Sequence, residues 1–570
     1  MLKIVRGVKQ GVMLLTAGVM CLALPVSAEL SIWTQTDCTR VLRADAPGKA
    51  KAAHVKAARN EWESFQILMR SDLPIAGINL KAGTLLGPKG SASKLRVELY
   101  RQHQLELLDA SYRNEAFQPG WYPDALIPFV HPLMGTPLMD GRLKAVPFDL
   151  PAEQTHGFWV DVYVPSEAQA GEYRGKILVQ AGGQTQEVPV VVTVWDFALP
   201  PTLTFQSSMG APSQRLRAYY KTRAESGKEP EPANWADMDR QIAQLFDEHR
   251  LNATPFQEIK PVEQADGTFL IPMEKVEAFR EFVDTYHLNA YAITHPKTVV
   301  KDLEKQRSRL NAWLQAWNQF AQELKRPQVM LYVYLRDEPN DAEAYDYVQK
   351  WGSAIRAANS VVKVLVTEQT KSSEPAWGDL YGAVDVWCTL FPLHDQETAV
   401  QRQALGETVW MYTALCQRSP PTPWWQIDFP LLNYRVPMWI GWRYQMRGIL
   451  YWGGMCFWNQ VDDPWSDPKT LDRRKAKNKQ LYNGDGSLLY PGRAVGYDGI
   501  VASLRLKALR DGIEDYELLA ILERAGQSKA ADEIVKPLAE DWFQWEKDPS
   551  AYEAAREKLA KLILALPKSK

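Results

Sequence analysis

An apolar segment that ends in two acids is the feature that most restricts the fold of this chain. Residues 329–335 read Val-Met-Leu-Tyr-Val-Tyr-Leu and are followed by Arg336, Asp337, Glu338 and Pro339. Apolar and aromatic residues at successive positions are typical of a strand that is buried on both faces of a parallel sheet. We therefore expect the two acids at the carboxyl end of a buried strand, where barrel enzymes carry their catalytic residues.

The same alternation of short apolar strands and longer helices extends over residues 202–465. Strands are predicted to begin near Thr204, Ala253, Ala290, Val329, Val362, Val384, Thr408 and Ile449. Helices are predicted at 234–249, 274–286, 303–324, 342–358, 395–405 and 430–446. Eight strands with intervening helices over about 260 residues are typical of a (β/α)8 TIM-type barrel. Asp337 and Glu338 then end its fourth strand.

Residues 29–201 show a different pattern, with short alternating runs between turn signals. Strands are predicted at 64–69, 157–164, 176–179 and 188–195, the last two joined across a pair of glycines. This spacing indicates an antiparallel β-sandwich. A Leu-Pro-Pro linker at 199–201 separates it from the barrel.

Residues 466–570 are predicted to form a small hairpin and helical extension packed on the barrel. The Asn-Gly-Asp-Gly sequence at 483–486 predicts a hairpin turn, and two or three charged helices are predicted from Ser503 onward. One run of polar residues at helical spacing is expected to clamp these helices to the barrel: Arg510, Asp511, Glu514, Asp515 and Tyr516. The predicted fold is therefore multidomain, with a β-sandwich, a barrel and this extension.

The first 28 residues have the pattern of a secretory signal peptide. Lys3, Arg6 and Lys9 precede a largely apolar run at 11–24, and a small-residue cleavage site ends at Ala28. The run is short for a membrane-spanning helix, which needs about 20 apolar residues. We expect export to a bacterial periplasm or the extracellular medium, with no membrane anchor after cleavage.

The charge and the remaining motifs exclude several classes of function. Removal of the three basic leader residues changes the formal net charge from −2 to −5, and no basic run occurs, which argues against nucleic acid as a partner. The 21 tryptophans and 23 tyrosines instead suit a neutral glycan, because aromatic rings stack on sugar faces. No phosphate-binding glycine motif or zinc-type histidine pair is present, so no cofactor or metal is expected.

Four cysteines remain after cleavage without metal-ligand spacing: Cys38, Cys388, Cys416 and Cys456. The oligomeric state is left open.

Glycoside hydrolysis usually needs two carboxylates on opposite sides of the scissile bond, about 5 to 9.5 Å apart. Neighbouring residues such as Asp337 and Glu338 cannot straddle a sugar in this way, and the predicted seventh strand, 408–413, offers no carboxylate. A 2-acetamido sugar removes the need for a protein nucleophile, because its own acetamide oxygen attacks the anomeric carbon. Such an enzyme needs one acid/base and one carboxylate that orients the acetamide N–H.

Further candidates lie at predicted strand ends and in aromatic positions near them. The residues predicted to bind substrate are His295, Glu368, Trp387, Tyr412, Trp442, Trp452 and Trp458. For Tyr412 the expected role is a hydrogen bond to the acetamide oxygen, and for each tryptophan core packing is an equal alternative. Asp428 and Arg435 are expected to form a salt bridge that holds a Trp- and Pro-rich loop over the pocket.

Four segments together resemble one known family. The Leu-Arg-Asp-Glu-Pro segment at 335–339 resembles the catalytic Asp-Glu pair of glycoside hydrolase family 123, the β-N-acetylgalactosaminidases. The segments at 448–453 and 509–517 resemble the associated domain of unknown function 4091, and 60–66 resembles the family's sandwich domain. The resemblance implies a sandwich plus a barrel and retention of anomeric configuration. It also implies Glu338 as acid/base and Asp337 as the acetamide-orienting residue.

Two alternatives stay open at this point. One is a glycosidase for sugars without an acetamide group, in which Glu338 is the acid and Glu368 or Asp428 is the second carboxylate. The other is a carbohydrate-binding or scaffold protein with a degenerate barrel, against which the intact acid pair argues.

Overall fold

The computed structural model describes residues 29–91, 94–138, 140–415, 421–476 and 479–567. The predicted signal peptide and Cys416 lie outside these ranges. Within them no helix is long and apolar enough to cross a membrane.

Ten strands form the N-terminal region among the described residues. They are β1 (Leu30–Thr36), β2 (Ala53–Arg59), β3 (Glu61–Ser71), β4 (Ile75–Ala82), β5 (Arg96–Leu107), β6 (Gly120–Pro128), β7 (Phe148–Leu150), β8 (His156–Val164), β9 (Gly171–Ala181) and β10 (Gln184–Ala198). The four strands predicted from the sequence lie within β3, β8, β9 and β10.

These strands make two five-stranded sheets that face each other across an apolar core. One sheet has the order β1-β3-β8-β5-β6 and the other β2-β10-β9-β4-β7. All pairings are antiparallel except β2 with β10. Inward-facing residues that alternate along the strands, such as Phe158, Val160 and Val162, fill the space between the sheets.

Within the described ranges, seven parallel strands form the sheet at the centre of the following region, and a two-stranded hairpin (β12 and β13) interrupts the series. The strands are β11 (Gln206–Ser208), β12 (Val262–Glu263), β13 (Phe269–Leu270), β14 (Ala290–Ala292), β15 (Met330–Arg336), β16 (Lys363–Val366), β17 (Val386–Leu390), β18 (Thr408–Tyr412) and β19 (Gly448–Leu450). The sheet order is β11-β19-β18-β17-β16-β15-β14, so the sheet curves into a nearly closed barrel.

The strand predicted near Ala253 is not formed in the described structure, and this prediction was wrong. Pro255 lies two residues further on and lacks the N–H that a ladder requires. Asn252 fills the gap between β11 and β14 with side-chain hydrogen bonds instead. Its Nδ2 donates to the Ser207 carbonyl (3.0 Å) and to Asn289 Oδ1 (2.9 Å). The two edge strands are thus bridged by an amide rather than by an eighth strand.

In the described part of the chain, seven helices pack around this sheet. They are α1 (Pro212–Glu225), α2 (Trp235–Glu248), α3 (Met273–Tyr286), α4 (Arg307–Leu324), α5 (Ala342–Ala357), α6 (Gln396–Ala404) and α7 (Leu432–Arg443). Six match the predicted helices within a few residues, whereas α1 was not predicted. Side chains of Asn234, Asp341 and Asp395 cap the first turns of α2, α5 and α6.

The described residues of the C-terminal region form two short hairpins and three helices. Its elements are β20 (Leu471–Arg473), β21 (Gln480–Tyr482), β22 (Leu489–Pro491), β23 (Ile500–Ala502), α8 (Leu504–Arg524), α9 (Ser528–Val535) and α10 (Pro549–Leu564). The predicted hairpin across 483–486 is wrong, because β21 pairs with β20 and β22 pairs with β23. The 483–486 segment is a buried turn in which Asp485 Oδ1 accepts hydrogen bonds from Tyr451 (3.1 Å) and Gln426 (3.3 Å).

Helix α8 is buried along almost its whole length and joins the parts of the molecule. Arg510 contacts Asp161 of β8 at 3.3 Å. Asp515 contacts Arg435 of α7 at 2.6 Å and Arg556 of α10 at 2.7 Å. The predicted clamp therefore reaches the sandwich as well as the barrel. The boundaries predicted at 201 and 465 stay a prediction.

Candidate active site

A bulge at the end of β15 decides which way the acid pair faces. Tyr334 pairs with Leu365 of β16, but Arg336, two residues further, pairs with the next residue, Val366. In a regular strand, residues three apart point to opposite faces. The extra residue of the bulge reverses this relation, so Asp337 lies on the same side as Tyr334.

Asp337 is held by two hydroxyl groups. The Tyr334 hydroxyl donates to Asp337 Oδ1 at 2.6 Å, and the Thr367 hydroxyl lies 3.1 Å from the same oxygen. Burial and the Asp337 carboxylate raise the pKa of Tyr334 far above its usual value, so the phenol stays protonated and acts as a donor. Asp337 itself is exposed and open to a ligand.

Glu338 is held from the other side. Tyr412, the last residue of β18, donates from its hydroxyl to Glu338 Oε1 at 2.7 Å. The backbone N–H of Glu338 donates to Thr367 Oγ1 at 2.8 Å. The φ angle of Glu338 is +39°, which is uncommon for a residue with a side chain and costs on the order of 1–3 kcal/mol. Thr367 thus contacts both members of the pair and stabilises this backbone conformation.

The partners of both acids belong to the inner lining of the barrel. Tyr412 lies in the apolar cluster that fills the space inside the sheet, and Tyr334 packs against that cluster. Because β18 and β15 lie on opposite sides of β17 and β16 in the sheet order, the two tyrosines approach the pair from different strands.

Glu368 follows Thr367 and adds a buried carboxyl group to this end of the barrel. Burial, more than the nearby charge of Glu338, raises the pKa of Glu368 to about 7, and its side chain is 6% exposed. Glu368 Oε1 accepts a hydrogen bond from the Gln369 N–H at 3.2 Å. The group is therefore protonated over much of the pH range in which most carboxyls are ionised.

Three of the tryptophans predicted to bind sugar have side chains buried in packing, which favours the core-packing alternative, and their contact with substrate stays a prediction. Trp387 points out of the barrel, is 1% exposed and donates to Glu407 at 2.7 Å. Trp458 is also 1% exposed and donates to the Leu489 carbonyl at 3.0 Å. Trp442 lies on the outer helix α7 and is buried in the main core.

Two further candidates occupy different surroundings. Trp452 follows β19 at the same edge of the sheet as the acids, is half-buried and packs on Phe457 with ring centres 4.9 Å apart. Its contact with substrate stays a prediction. His295 faces outward to α5, because Nε2 lies 3.1 Å from the Tyr347 hydroxyl and Nδ1 accepts from the Lys297 N–H at 3.0 Å. Both ring nitrogens have partners there, and the contact of His295 with substrate stays a prediction.

The predicted salt bridge between Asp428 and Arg435 is wrong, because each residue binds elsewhere. Asp428 accepts hydrogen bonds from the Ser111 hydroxyl (2.5 Å) and the Asn114 amide (3.0 Å), which ties the loop to the N-terminal region. Arg435 binds Asp515 and other buried or partly buried acids behind the barrel. Asp428 is therefore occupied as a structural acceptor.

Sequence reasoning missed Tyr334 and Thr367 as contacts of the acid pair. Tyr334 carries a weak signal, as a polar-tipped residue three positions before Asp337 in an otherwise apolar strand. Thr367 carries none, because its contact depends on the bulge between β15 and β16. In the described part of the chain, no group of three or more His, Cys, Asp or Glu side chains is arranged to hold a metal ion.

Known proteins show what this arrangement is similar to. Residues 257–522, which include both acids and Tyr412, match the family described as "Glycoside hydrolase 123, catalytic domain". The chain is a glycoside hydrolase, and the alternative of a non-catalytic scaffold is not retained. Its catalytic domain belongs to glycoside hydrolase family 123, as the resemblance of the acid pair implied.

Solved structures support the same fold. A family 123 glycoside hydrolase from Clostridium perfringens, described as hydrolysing glycolipid glycans, has a TM-score of 0.60 and 14% identity, over 94% of this chain and 97% of that one. A Parabacteroides merdae β-glucuronidase has a TM-score of 0.25 and 10% identity, over 80% of this chain and 50% of that one, which is too remote to carry an argument. No curated protein sequence matches the chain.

Proposed function

We propose that the enzyme releases β-linked N-acetylhexosamine, with N-acetylgalactosamine favoured, by a retaining mechanism in which the substrate acetamide is the nucleophile. The observation that carries this proposal is the pair of hydrogen bonds from inward tyrosines, Tyr334 to Asp337 and Tyr412 to Glu338. They support two adjacent acids that act together at the carboxyl end of β15. The preference for galactosamine rests on the family resemblance.

The proposed first step divides the work between the two acids. Glu338 protonates the glycosidic oxygen while the acetamide oxygen attacks the anomeric carbon, and the aglycone leaves as an alcohol. Because Tyr412 donates to Oε1 of Glu338, the proton for transfer belongs on Oε2. Asp337 accepts the acetamide N–H and stabilises the positive charge that develops on the oxazolinium ion.

The second step reverses these roles. Glu338, now a carboxylate, removes a proton from water as the water attacks the anomeric carbon and the oxazoline ring opens. Two displacements at the same carbon return the sugar with its original β configuration. Thr367 keeps both acids in position through this cycle by its contacts with Asp337 and the Glu338 backbone.

The test compares Asp337→Asn and Glu338→Gln with the wild type on aryl β-N-acetylgalactosaminides and glucosaminides. We expect kcat to fall at least 100-fold in both variants, since each removes a group that acts in the transition state. Glu343→Gln, an exposed carboxylate on α5, is the matched control. Turnover near the wild-type rate in either active-site variant, or α anomer as the first product seen by NMR, contradicts the mechanism.

One observation favours a second candidate, a glycosidase for sugars without an acetamide group. The buried carboxyl of Glu368 lies close enough to Glu338 for its charge to contribute to the raised pKa. In that case Glu368 is the second carboxylate. A thiazoline mimic of the oxazoline distinguishes the candidates, because only the acetamide-dependent enzyme binds it tightly.

Export is also part of the proposal, supported by the leader pattern at residues 1–28. The mature enzyme then begins at Glu29. Mass spectrometry of the periplasmic or medium fraction tests this, and a cell-associated chain that still begins at Met1 contradicts it.

A further inference from the structure

A loop of the N-terminal sandwich is fixed to the barrel at the carboxyl end of its strands. Residues 108–118, between β5 and β6, form this rim loop. The Ser111 hydroxyl donates to Asp428 Oδ1 (2.5 Å) and accepts from the Asn483 N–H (2.9 Å). The Asn114 amide adds a hydrogen bond to Asp428 Oδ2 at 3.0 Å. Because Ser111, Asp428 and Asn483 are buried, the loop is held in one position on the barrel.

The rim loop and the β20–β21 hairpin lie together beside the strand that carries Tyr412. The Tyr112 N–H donates to the carbonyl of Leu481 in β21 at 2.7 Å. The next residue, Tyr482, donates from its hydroxyl to the Leu415 carbonyl at 3.1 Å. Leu415 is three residues beyond Tyr412, a stretch of chain that spans at most about 11 Å. The hairpin therefore begins at the mouth of the catalytic site.

Basic residues are concentrated at this mouth. Five of the seven residues at 473–479 are Lys or Arg, so the expectation from the sequence that no basic run occurs is wrong here. Arg474 is paired with Asp109 (2.6 Å) and Asp472 (2.8 Å), and Glu115 is the other acid of the rim loop. The remaining described cations of the loop and the hairpin turn lack an ion-pair partner among the described residues and form a cluster that we name the basic rim: Arg113, Arg473, Lys475 and Lys479.

Arg113 of the basic rim is held beside an aromatic ring. Its guanidinium carbon lies 5.2 Å from the ring centre of Tyr112 and its hydrogen bond to the Tyr112 hydroxyl lowers the pKa of that phenol. Tyr112 in turn packs on Tyr482 (6.0 Å between ring centres) and Trp424 (6.1 Å), yet it is only half-buried. A fixed arginine beside a half-exposed ring suits a sugar that carries an anionic group. The ring stacks on the sugar face, and the guanidinium binds a carboxylate or a sulfate.

The acid pair determines where on a substrate such an anionic group can lie. Asp337, Glu338 and the buried carboxyl of Glu368 place negative charge around the sugar that is hydrolysed, so an anion on that sugar is repelled. The rest of the glycan extends to the mouth of the barrel, where the basic rim attracts an anion. Long-range attraction to nucleic acid or to an anionic membrane is weak, because the formal net charge of the whole chain is −2.

We propose that the basic rim binds an acidic sugar of the aglycone, either a uronic acid or a sulfated residue. The enzyme then removes N-acetylhexosamine from anionic glycans, and the sandwich takes part in substrate selection through Arg113. This inference rests on the proposed function, because it names the class of aglycone that the same site accepts.

The test measures binding rather than turnover. The mature enzyme carries Glu338→Gln, so that the probes are not cleaved. The three probes are an unsulfated chondroitin tetrasaccharide with N-acetylgalactosamine at its non-reducing end, its carboxyl-reduced neutral form, and the reduced form with sulfate esters. We expect calorimetry in 20 mM NaCl to show that at least one acidic probe binds at least tenfold more tightly than the neutral form. In 300 mM NaCl this ratio should fall below about threefold, because salt screens exposed charges. The two acidic probes distinguish a carboxylate from a sulfate.

Substitutions of the basic rim are made in the same background. Arg113→Gln should lower the ratio of acidic to neutral affinity three- to fivefold. Replacement of all four cations of the basic rim by glutamine should lower the ratio to below twofold. Lys558→Gln, an exposed cation on α10, is the matched control and should leave the ratio unchanged. Thermal unfolding of each variant confirms that the fold is intact.

Three outcomes overturn the proposal. They are equal affinity for acidic and neutral probes, an unchanged ratio after replacement of all four cations, and tighter binding of phosphatidylglycerol vesicles or a DNA oligonucleotide than of the acidic glycans. Failure of the proposed function is seen separately, as wild-type enzyme that does not turn over aryl β-N-acetylhexosaminides.

Discussion

Replacement of Thr367 by valine is the sharpest test of how the acid pair is held. The side chains have nearly the same shape, but valine lacks the hydroxyl that lies 3.1 Å from Asp337 Oδ1 and accepts the Glu338 N–H at 2.8 Å. Thr367 is 1% exposed, so water does not readily replace the lost hydroxyl. Both contacts disappear together, and the +39° φ of Glu338 loses its support.

The expected cost follows from these two contacts. An ordinary hydrogen bond contributes about 0.5–1.5 kcal/mol and one to a charged group about 1.5–3 kcal/mol. The contact with Asp337 is discounted to about 1 kcal/mol, because Asp337 is exposed and screened by solvent. The sum is about 2 kcal/mol. If this whole cost raises the activation free energy, kcat falls roughly 30-fold.

The assay is steady-state hydrolysis of aryl β-N-acetylgalactosaminide, with kcat and KM determined separately. Thr367→Ser, which keeps the hydroxyl, is the matched control and is expected to retain most of kcat. The reasoning is refuted if valine changes kcat less than twofold, if serine loses as much as valine, or if only KM rises. Urea unfolding of each variant confirms that the fold is intact.

Three other predictions concern pH, buried charge and the outer face of the barrel. Because burial raises the pKa of Glu368 to about 7, its ionisation destabilises the fold. Unfolding free energies measured at pH 4.5, 6 and 8 should show Glu368→Gln becoming more stable relative to the wild type by about 3 kcal/mol between pH 4.5 and 8. A constant difference across this range contradicts the burial effect. Arg435→Met should lower the unfolding free energy by about 3–5 kcal/mol, since it removes the ion-pair partner of buried Asp37 and one of the two arginines that bind Asp515. The exposed control Arg174→Met should change it by about 0.5 kcal/mol or less, and equal effects of the two changes argue against the buried network. Trp387→Phe should leave KM within twofold of the wild-type value. A large rise in KM supports a contact between Trp387 and the sugar.

The sequence predicted those features that depend on local pattern. Most apolar strands, six of the helices around the barrel and the acids after β15 are encoded in neighbouring residues, and the described structure places them close to the predicted positions. Prediction from local pattern was wrong at two places. The strand predicted near Ala253 is not formed in the described structure, where Pro255 follows, and the turn motif at 483–486 lies in a buried segment that joins no hairpin. Turn and strand propensities do not indicate which distant segment supplies the pairing partner.

The aromatic predictions show the same limit. Trp387 and Tyr412 both lie on barrel strands, yet the first faces the outer helices and the second reaches Glu338. Which face a strand residue occupies depends on register, and register is set by pairing with strands far away in the chain.

The sequence by itself determined the type and approximate position of the elements and the presence of two adjacent acids at a strand end. The tertiary structure alone decided that a one-residue bulge turns Asp337 toward Tyr334, and that Thr367 holds both acids. The physical reason is that strand pairing and side-chain contacts join residues from separate parts of the chain, whereas local propensity reports only on neighbours.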